Sequence, residues 1–521
     1  MPSNISASSL AAAVGVGAKN VQFAPSANTL RRKIVLIGTF DETTKTSIVE
    51  NTPYLVTSKE DVGDRFGFGF MLYRLAKWAF LGSSGVETWV IPQLENVAAA
   101  FAQGTITIVA TSASAGTLYL YIAGESVQVT VAEGDDETDI ATAIAAAINA
   151  DATLPVTATP AAGVVTVDAK SGGLWGNYID MSLNWGFGEE TPEGITSITI
   201  VQLTGGSGLP DIQDALDALG TGDEQNLDYF TELAHGYMQD TTTLNALSIW
   251  NGEGNTFSGN YAKMVARPLR SLIGDTASGS SALTTLIALG NGRKQDRTSG
   301  LVPVPGSPNH PQEIAALTLG IEALTNNSIA AEHYVGKALP GIIPGAIADR
   351  WTSDYTNRDT ALRAGISSTI VSGGSVILQD VATFYHPDSV PVDSNGYAAQ
   401  VNISKIQNIT DSVRVNFNQE KWQSIFIVAD VTKVASVIDK QKSRDIVAVQ
   451  NDVVALARAW EARGWIYTAE YTIDQIKTGN FIAIRAGGTG FDITIPVILS
   501  GVGRIFNNEI HFDTSLSILT A

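Results

Sequence analysis

The chain has 521 residues, of which 44% are hydrophobic and 16% charged, with a formal net charge of −20 and no cysteine. More than one folding unit is expected at that length, and the composition is globular, not disordered. The absence of cysteine excludes a disulfide framework, a Cys-ligated zinc and a thiol nucleophile.

The charge is unevenly placed. Residues 101–260 hold 21 Asp or Glu and a single base, Lys170, whereas the rest of the chain holds 31 acids and 31 bases. All the excess negative charge lies in one contiguous block. That suits either a solvated surface or a face turned outward in an assembly. No run of Lys and Arg supports nucleic-acid binding. No stretch of roughly 18 uncharged apolar residues exists, so direct membrane insertion is not expected. The small-residue start, MPSNISASSLAAAVGVGAKN, lacks the basic opening and the Leu/Ile/Val-rich middle of a secretory signal and reads as an arm.

In chain order, residues 1–30 are small and polar, an extended arm containing Pro25. KIVLIGTF then has the pattern of a buried strand. DRFGFGFMLYRLAKWAFLGSSG reads as a loop followed by a helix with Leu72, Leu75, Ala76 and Ala79 on one face, and VETWVIP is a second buried strand. Strand, helix, strand opens an α/β layer. Near Gln103 the composition shifts. TITIVA, GTLYLYIAG and ESVQVTVAEG have strand patterns, and Asp135 or Asp136 is a candidate cap for a helix on Ile140, Ile144, Ala147 and Ile148. VTATPAAGVVTVDAK is a hairpin. This stretch of about 100 residues reads as a small α+β domain inserted into a larger one.

The α/β pattern resumes with the strand ITIVQLTGG, the helix IQDALDALG, the candidate strand FTELAHGYM and the helix TTLNALSIWNG. PQEIAALTLGIEAL has proline at its first helical position. Beyond Pro340 and Pro344, TNRDTALRAGIS is helical up to Gly365, and STIVSG with GSVILQDVATFY forms a strand pair. SVRVNFNQEKWQSIFIVAD gives a strand, VASVIDKQKSRDIVAVQNDVVALARAWEARG long helices, and GNFIAIRAGG and FDITIPVILSG two further strands. In NEIHFDTSLSIL, Ile510, Phe512, Leu516 and Ile518 alternate with His511, Asp513, Ser515 and Ser517. This is a strand with one buried face, able to pair within its own subunit or with a neighbour.

Residues for catalysis do not converge. His235, His310, His333, His386 and His511 have no metal-binding spacing, so no catalytic, cofactor-binding or metal residues are expected. GxxxxGK[ST] and GxSxG are absent. LTGGSG (203–208) follows a strand and precedes a helix, but Asp211 and Asp214 in the first turn would repel a phosphate, which favours a tight turn. AGGTGFD (486–492) lacks the order of a dinucleotide site. Glu189 and Glu190 sit in a polar, glycine-rich loop, and Trp460 with Trp465 suits core packing. Lys433, Lys440, Lys442 and Arg444 form the most basic local face, either a solvated helix or a docking face for an acidic partner.

Several segments, in order, resemble the contractile phage tail sheath family. GAIADRWTSDYTNRDTALRAGISSTIVSGGSVILQDVATFY (345–385) is similar to the start of its carboxy-terminal domain. Pro344, Arg350, Thr352, Leu362, Gly365, Gly373, Gly374, Thr383 and Tyr385 stand at the matching positions, while Gln379 and Ala382 depart from the usual basic residue and threonine. LTGGSGLPDIQDALDAL resembles the family's entry into its middle α/β domain, and 116–181 resembles the extra domain of the Mu-like branch.

The resemblance implies an α/β multidomain fold. Its parts are an N-terminal arm (1–30), a subtilisin-like-topology middle domain in two parts (31–102 and 201–345), an inserted β-rich α+β domain (103–200), a C-terminal α+β domain (346–505) and a C-terminal arm strand (506–521). It further implies a non-enzymatic subunit of stacked six-membered rings around a tail tube, contracting to drive that tube through the host envelope. The expected partners are the tube, baseplate and tail terminator proteins. Assembly in the host bacterial cytoplasm and a place in the virion tail follow. Under the resemblance Val21, Phe23, Ile510, Phe512, Leu516 and Ile518 become candidates for inter-subunit strand exchange, and Lys433, Lys440, Lys442 and Arg444 for a tube-facing helix. The alternatives are another self-assembling shell or surface-layer protein, or an α/β hydrolase-type enzyme.

Overall fold

The computed structural model describes residues 29–110, 113–220, 229–253, 259, 268–388, 396–479, 481–485 and 488–501. They fall into two units, 29–410 and 411–501.

In β1 (Lys33–Thr39) every residue after Lys33 is buried. A strand apolar on both faces needs cover on both, which a mostly parallel sheet with flanking helices supplies. β2 (Tyr54–Val56) is a short edge strand, antiparallel to its neighbour. α1 (Lys59–Phe66) and α2 (Met71–Gly82) lead to β3 (Glu87–Gln93), which runs parallel to β1. The sequence pattern places residues 64–66 in a loop; they are the last turn of α1. This eight-residue helix contains Gly63, which masks its periodicity. Its local signal is Ser58, whose Oγ accepts from the Asp61 N–H at 3.2 Å.

The chain then leaves the sheet. β4 (Gln103–Ala110), the hairpin β5 (Gly116–Ile122) and β6 (Glu125–Val131), and α3 (Glu137–Ala150) follow, then the hairpin β7 (Val156–Ala161) and β8 (Val164–Ala169), β9 (Met181–Leu183) and β10 (Ile195–Thr204). Two sheets result, β10-β4-β8-β7 and β6-β5-β9. Asp136 caps α3 in a capping box with Asp139, and Ile140, Ile144 and Ile148 face inward at helical spacing. β4 carries the chain out and β10 brings it back as an antiparallel pair, extended by the Ala100–Ser207 bridge. Residues 103–204 therefore form a module on a two-strand neck.

The main sheet resumes beyond α4 (Ile212–Ala218) with β11 (Glu232–His235), followed by α5 (Thr241–Asn251), β12 (Arg270–Asp275), α6 (Gly279–Gly292) and β13 (Ser299–Pro303). Its order is β13-β12-β11-β1-β3-β2, all parallel except β2. α7 (Pro311–Ser328), with proline at its start, is buried along most of its length. It crosses α2 at very close range. A Cβ on Gly82 would lie 2.5 Å from the Leu317 carbonyl oxygen, and one on Gly320 2.6 Å from that of Ala79. α8 (Tyr355–Arg363) precedes the hairpin of β14 (Ser368–Ser372) and β15 (Ser375–Asp380), anchored to β13 where the Thr369 hydroxyl donates to the Pro303 carbonyl at 2.7 Å.

α9 (Gln400–Phe417) contributes residues to both units. The sequence pattern of Val413, Val415 and Phe417 suggests a strand, but the chain there is helical, and Ser412 and Asn416, four residues apart, are the buried positions. In the second unit come β16 (Phe426–Ile427), α10 (Val437–Lys442), β17 (Ser443–Arg444), α11 (Ile446–Ala462), α12 (Ala469–Thr478), β18 (Ile482–Ile484) and β19 (Phe491–Ile493). Val449, Val453, Ile476 and Ile482 form a small core there, and buried Trp460 donates its indole N–H to the Ser412 hydroxyl at 2.8 Å.

Candidate functional site

Open α/β sheets bind ligands beyond the carboxyl ends of their strands, at the point where successive strands depart to opposite sides. Here that point lies between β1 and β11, because the chain goes from β1 to β3 on one side and later to β11 on the other. The crevice is plugged. Met71, the first residue of α2, sends its thioether between the strand ends. The Thr39 N–H approaches Sδ at 3.5 Å, and a Cβ on Gly236 would lie only 2.1 Å from it. The module closes the same end: the Ser171 hydroxyl accepts from the Met71 N–H at 3.0 Å, and Trp175 stacks on His310 at 3.7 Å between ring centroids. Tyr237, behind the plug, donates to Gln93 Oε1 at 2.6 Å.

The histidines do not meet. Burial pushes His235 down to about 4 and His310 down to about 3, so both are neutral. His235 Nδ1 accepts from the Tyr237 N–H, and His310 caps α7 while its Nε2 contacts the Trp175 carbonyl at 3.1 Å. His333 lies 3.2 Å from Asp380, and His386 contacts the Phe384 carbonyl and Asn291. His511 is outside the described residues. Among the described residues no group of three or more His, Asp or Glu is placed to hold a metal ion. None of the histidines lines the groove of about 960 Å³ beside β2 or the cleft of about 410 Å³ near Asp211 and Thr243.

Two buried ionic networks escape sequence reading. Arg270 pairs with Glu232 and lies 3.5 Å from Glu322, with the Tyr334 hydroxyl accepting from it at 2.8 Å; Arg32, 3.5 Å from Glu232, also donates to Ser404 and Gln407. Burial alone would push the Arg270 pKa down, but Tyr334 and the two carboxylates reverse this and raise it. The network ties β1, β11, β12, α7 and α9 together. In the second, Arg74 of α2 forms a bidentate pair with Glu313 of α7 (2.6 and 2.9 Å) and also reaches Glu125 of the module, which Lys77 contacts at 2.6 Å. Burial opposes the Arg74 charge, yet Glu313 and Glu125 outweigh it and raise its pKa. Perturbed ionisable groups often mark active sites. These point into packed interfaces, not into a cleft, and their chemistry is that of a fastening. The partners lie from 38 to 375 residues apart in sequence, so no local motif announces them.

The basic segment is not one helix. Lys433 ends a short 3-10 turn with its side chain 83% exposed, Lys440 and Lys442 lie on α10, and Arg444 lies on β17. No residue of α10 is buried, and Val437 and Ile438 are 72% and 77% exposed. Arg444 differs from the lysines: its guanidinium donates to the Lys421 carbonyl at 2.7 Å and lies over the Trp422 ring. Val21, Phe23, Ile510, Phe512, Leu516 and Ile518 lie outside the described residues.

No protein-family model matches the chain. It is 27% identical over 363 residues to the tail sheath protein of the Mu-like prophage FluMu of Haemophilus influenzae, a match covering 68% of this chain and 69% of the relative. Over two thirds of its length, then, the chain is similar to a phage tail sheath protein. Among solved structures, the chain is similar to a sheath tail protein of Desulfitobacterium hafniense, at 12% identity and a TM-score of 0.42 over 93% of this chain and all of the other. It is also similar to the helical sheath of the anti-feeding prophage in its contracted state, at 10% identity and a TM-score of 0.41 over 98% and 100%. Sheath proteins are structural, not enzymatic. In this chain the place where an α/β enzyme would bind its substrate holds Met71 and is roofed by the module.

Proposed function

We propose that this chain is the subunit of a contractile tail sheath, whose copies polymerise as stacked six-membered rings around a tail tube and contract to drive that tube through the host envelope. The observation that carries the reading is the 363-residue match to a tail sheath protein. The plugged crevice and the two buried networks support it, because they fill and stiffen the body as a subunit under mechanical load requires. The sheet order β2-β3-β1-β11-β12-β13 supports a subtilisin-like topology for a middle domain of 31–102 and 201–345. The two-strand neck supports 103–200 as its insertion, with the acidic block turned outward. We assign 346–505 to the C-terminal sheath domain, and 1–30 and 506–521 to arms that donate strands to neighbouring copies. Lys433, Lys440, Lys442 and Arg444 are the residues assigned to face the tube. The baseplate and tail terminator are further partners, and the particle's tail is its place.

Negative-stain electron microscopy of the purified full-length chain tests this. Hollow tubes with a regular axial repeat are the expected result. Dispersed particles, persisting when a tube protein is co-expressed, would overturn the proposal. Removing residues 510–521 should leave the melting temperature unchanged while abolishing tubes; an unfolded body would place that strand in its own core instead.

A further inference from the structure

The sheet β10-β4-β8-β7 packs one face on α3 and turns the other to solvent, and its two edges are finished differently. β7 contains Pro160, and the Asn149 side chain bonds both the N–H (2.9 Å) and the carbonyl (2.7 Å) of Ala158. A further strand would find those groups taken. β10 is the longest strand among the described residues, at ten, with no charge and no proline, and no described strand pairs with its outer edge. Its Ile198 and Ile200 remain only half-buried. Soluble proteins normally guard an edge of that length with lysine, proline or a covering element, because it invites pairing with another chain.

The solvent face beside this edge is neutral, although the module around it is acidic. In register, Val201, Thr105, Thr166 and Thr159 form one row across the four strands, with Val201 54% exposed. The face carries one charge, Asp168, which accepts from Gln103 Nε2 at 2.8 Å.

We infer that the β10 edge and the neutral face adjoining it are a contact surface for a second copy of this chain within the polymer, an inference that rests on the sheath reading. Two arguments select a second copy. The first is size. Four strands about 4.8 Å apart and six residues of about 3.3 Å each give a face of about 400 Å². That is half of the roughly 800 Å² per partner that a free-standing complex buries. Such a contact is too small to hold an independent partner, but it suffices as one of several in a polymer, where neighbouring contacts make it effectively intramolecular. The second is charge. Acidic modules repel one another, and a like-charged copy approaches most easily where no acid is brought nearer. Nucleic acid is repelled by the acidic surroundings, and the neutral face gives a strongly basic partner nothing to complement.

The test uses the full-length chain with Thr199→Lys and Val201→Lys together, both at exposed positions of β10. Thr142→Lys with Ala146→Lys, exposed on α3 on the other side of the sheet and off this face, is the control. Circular dichroism and thermal melting establish that both variants fold. The expected result is that the β10 variant needs at least tenfold more protein to form tubes, or forms none, while the control forms tubes as the unmodified chain does. Unchanged assembly of the β10 variant overturns the inference. So does equal loss in both variants, since added charge anywhere on the module would then suffice. If the unmodified chain itself forms no tubes, the sheath reading fails separately. Sedimentation of that chain at high concentration without any self-association would then remove the second copy as occupant.

Discussion

The main-sheet body and the inserted module build their cores in opposite ways. In the body, Arg32, Arg74, Arg270, Glu232, Glu313 and Glu322 are all buried among apolar residues. In the module, Ser171 is the one buried polar residue among those described between 103 and 204, and the acids lie at or near the surface. A buried ion pair contributes little net stability, but it fixes which elements meet, because a misplaced partner leaves a bare charge in a poor solvent for it. An apolar core is more tolerant of sliding and repacking. The body, whose parts are joined across long stretches of sequence, uses charge to fix their register. The module, with its short hairpins and capped helix, holds its arrangement locally.

The contrast is open to attack at several points. Arg270→Met strands Glu232 and Glu322, and we expect it to cost about 3–5 kcal/mol in urea unfolding. Adding Glu322→Leu should recover part of that loss, and a strictly additive double variant would mean the charges do not cooperate. Ile144→Ala in the module core should cost about 3 kcal/mol, as cavities of this kind do. That cost should be the same at pH 5 and pH 8, since no ionised group is stranded.

At His235, acid should weaken the body. His235 is neutral when folded, with its pKa pushed down to about 4 by burial, but it takes up a proton below about 6.5 once unfolded. The unfolded state therefore binds more protons between these values, and stability falls as pH drops through the window, by about 3 kcal/mol at most for this residue. His235→Gln should flatten that slope, whatever it does to the absolute stability. Glu322 and Glu253 act in the other direction: burial raises them to about 8 and about 7, so each weakens the fold as pH rises toward those values. The smallest effect is expected at the module surface, where Glu133→Gln and Glu190→Gln should change the melting free energy by less than about 0.5 kcal/mol.

Much of the architecture was legible because its signals are local. The unbroken apolar run of β1, the spacing of Ile140, Ile144 and Ile148 behind the Asp136 cap, Pro311 at the start of α7 and the paired strands around Gly163 and Gly373 each depend on neighbours a few residues away. α9 was not legible as one helix, because its buried positions include Ser404, Gln407, Asn408, Ser412 and Asn416, which a hydropathy pattern counts as exposed. Their partners come from distant segments: Arg32 bonds to Ser404 and Gln407, the Leu30 N–H to Asn408, and Asp452 to Asn416. The basic stretch 433–444 misled in the opposite direction. Charge alone grouped four residues that the backbone divides among a turn, a short helix and a strand, and it hid the exposed Val437 and Ile438 between them.

The sequence by itself determined most strands and helices of the two α/β halves, the acidic block over 101–260, the absence of the motifs of catalysis and the likeness to tail sheaths. Those properties are short-range, or they are sums over composition. Only the tertiary structure decided that Met71 fills the crevice at the sheet's switch point, that Arg74 joins body to module, and that one sheet edge is guarded by Asn149 and Pro160 while no described strand pairs with the other. Each of these depends on groups brought together from remote parts of the chain, or on which strand the pairing leaves outermost, and chain closure, not local preference, sets both.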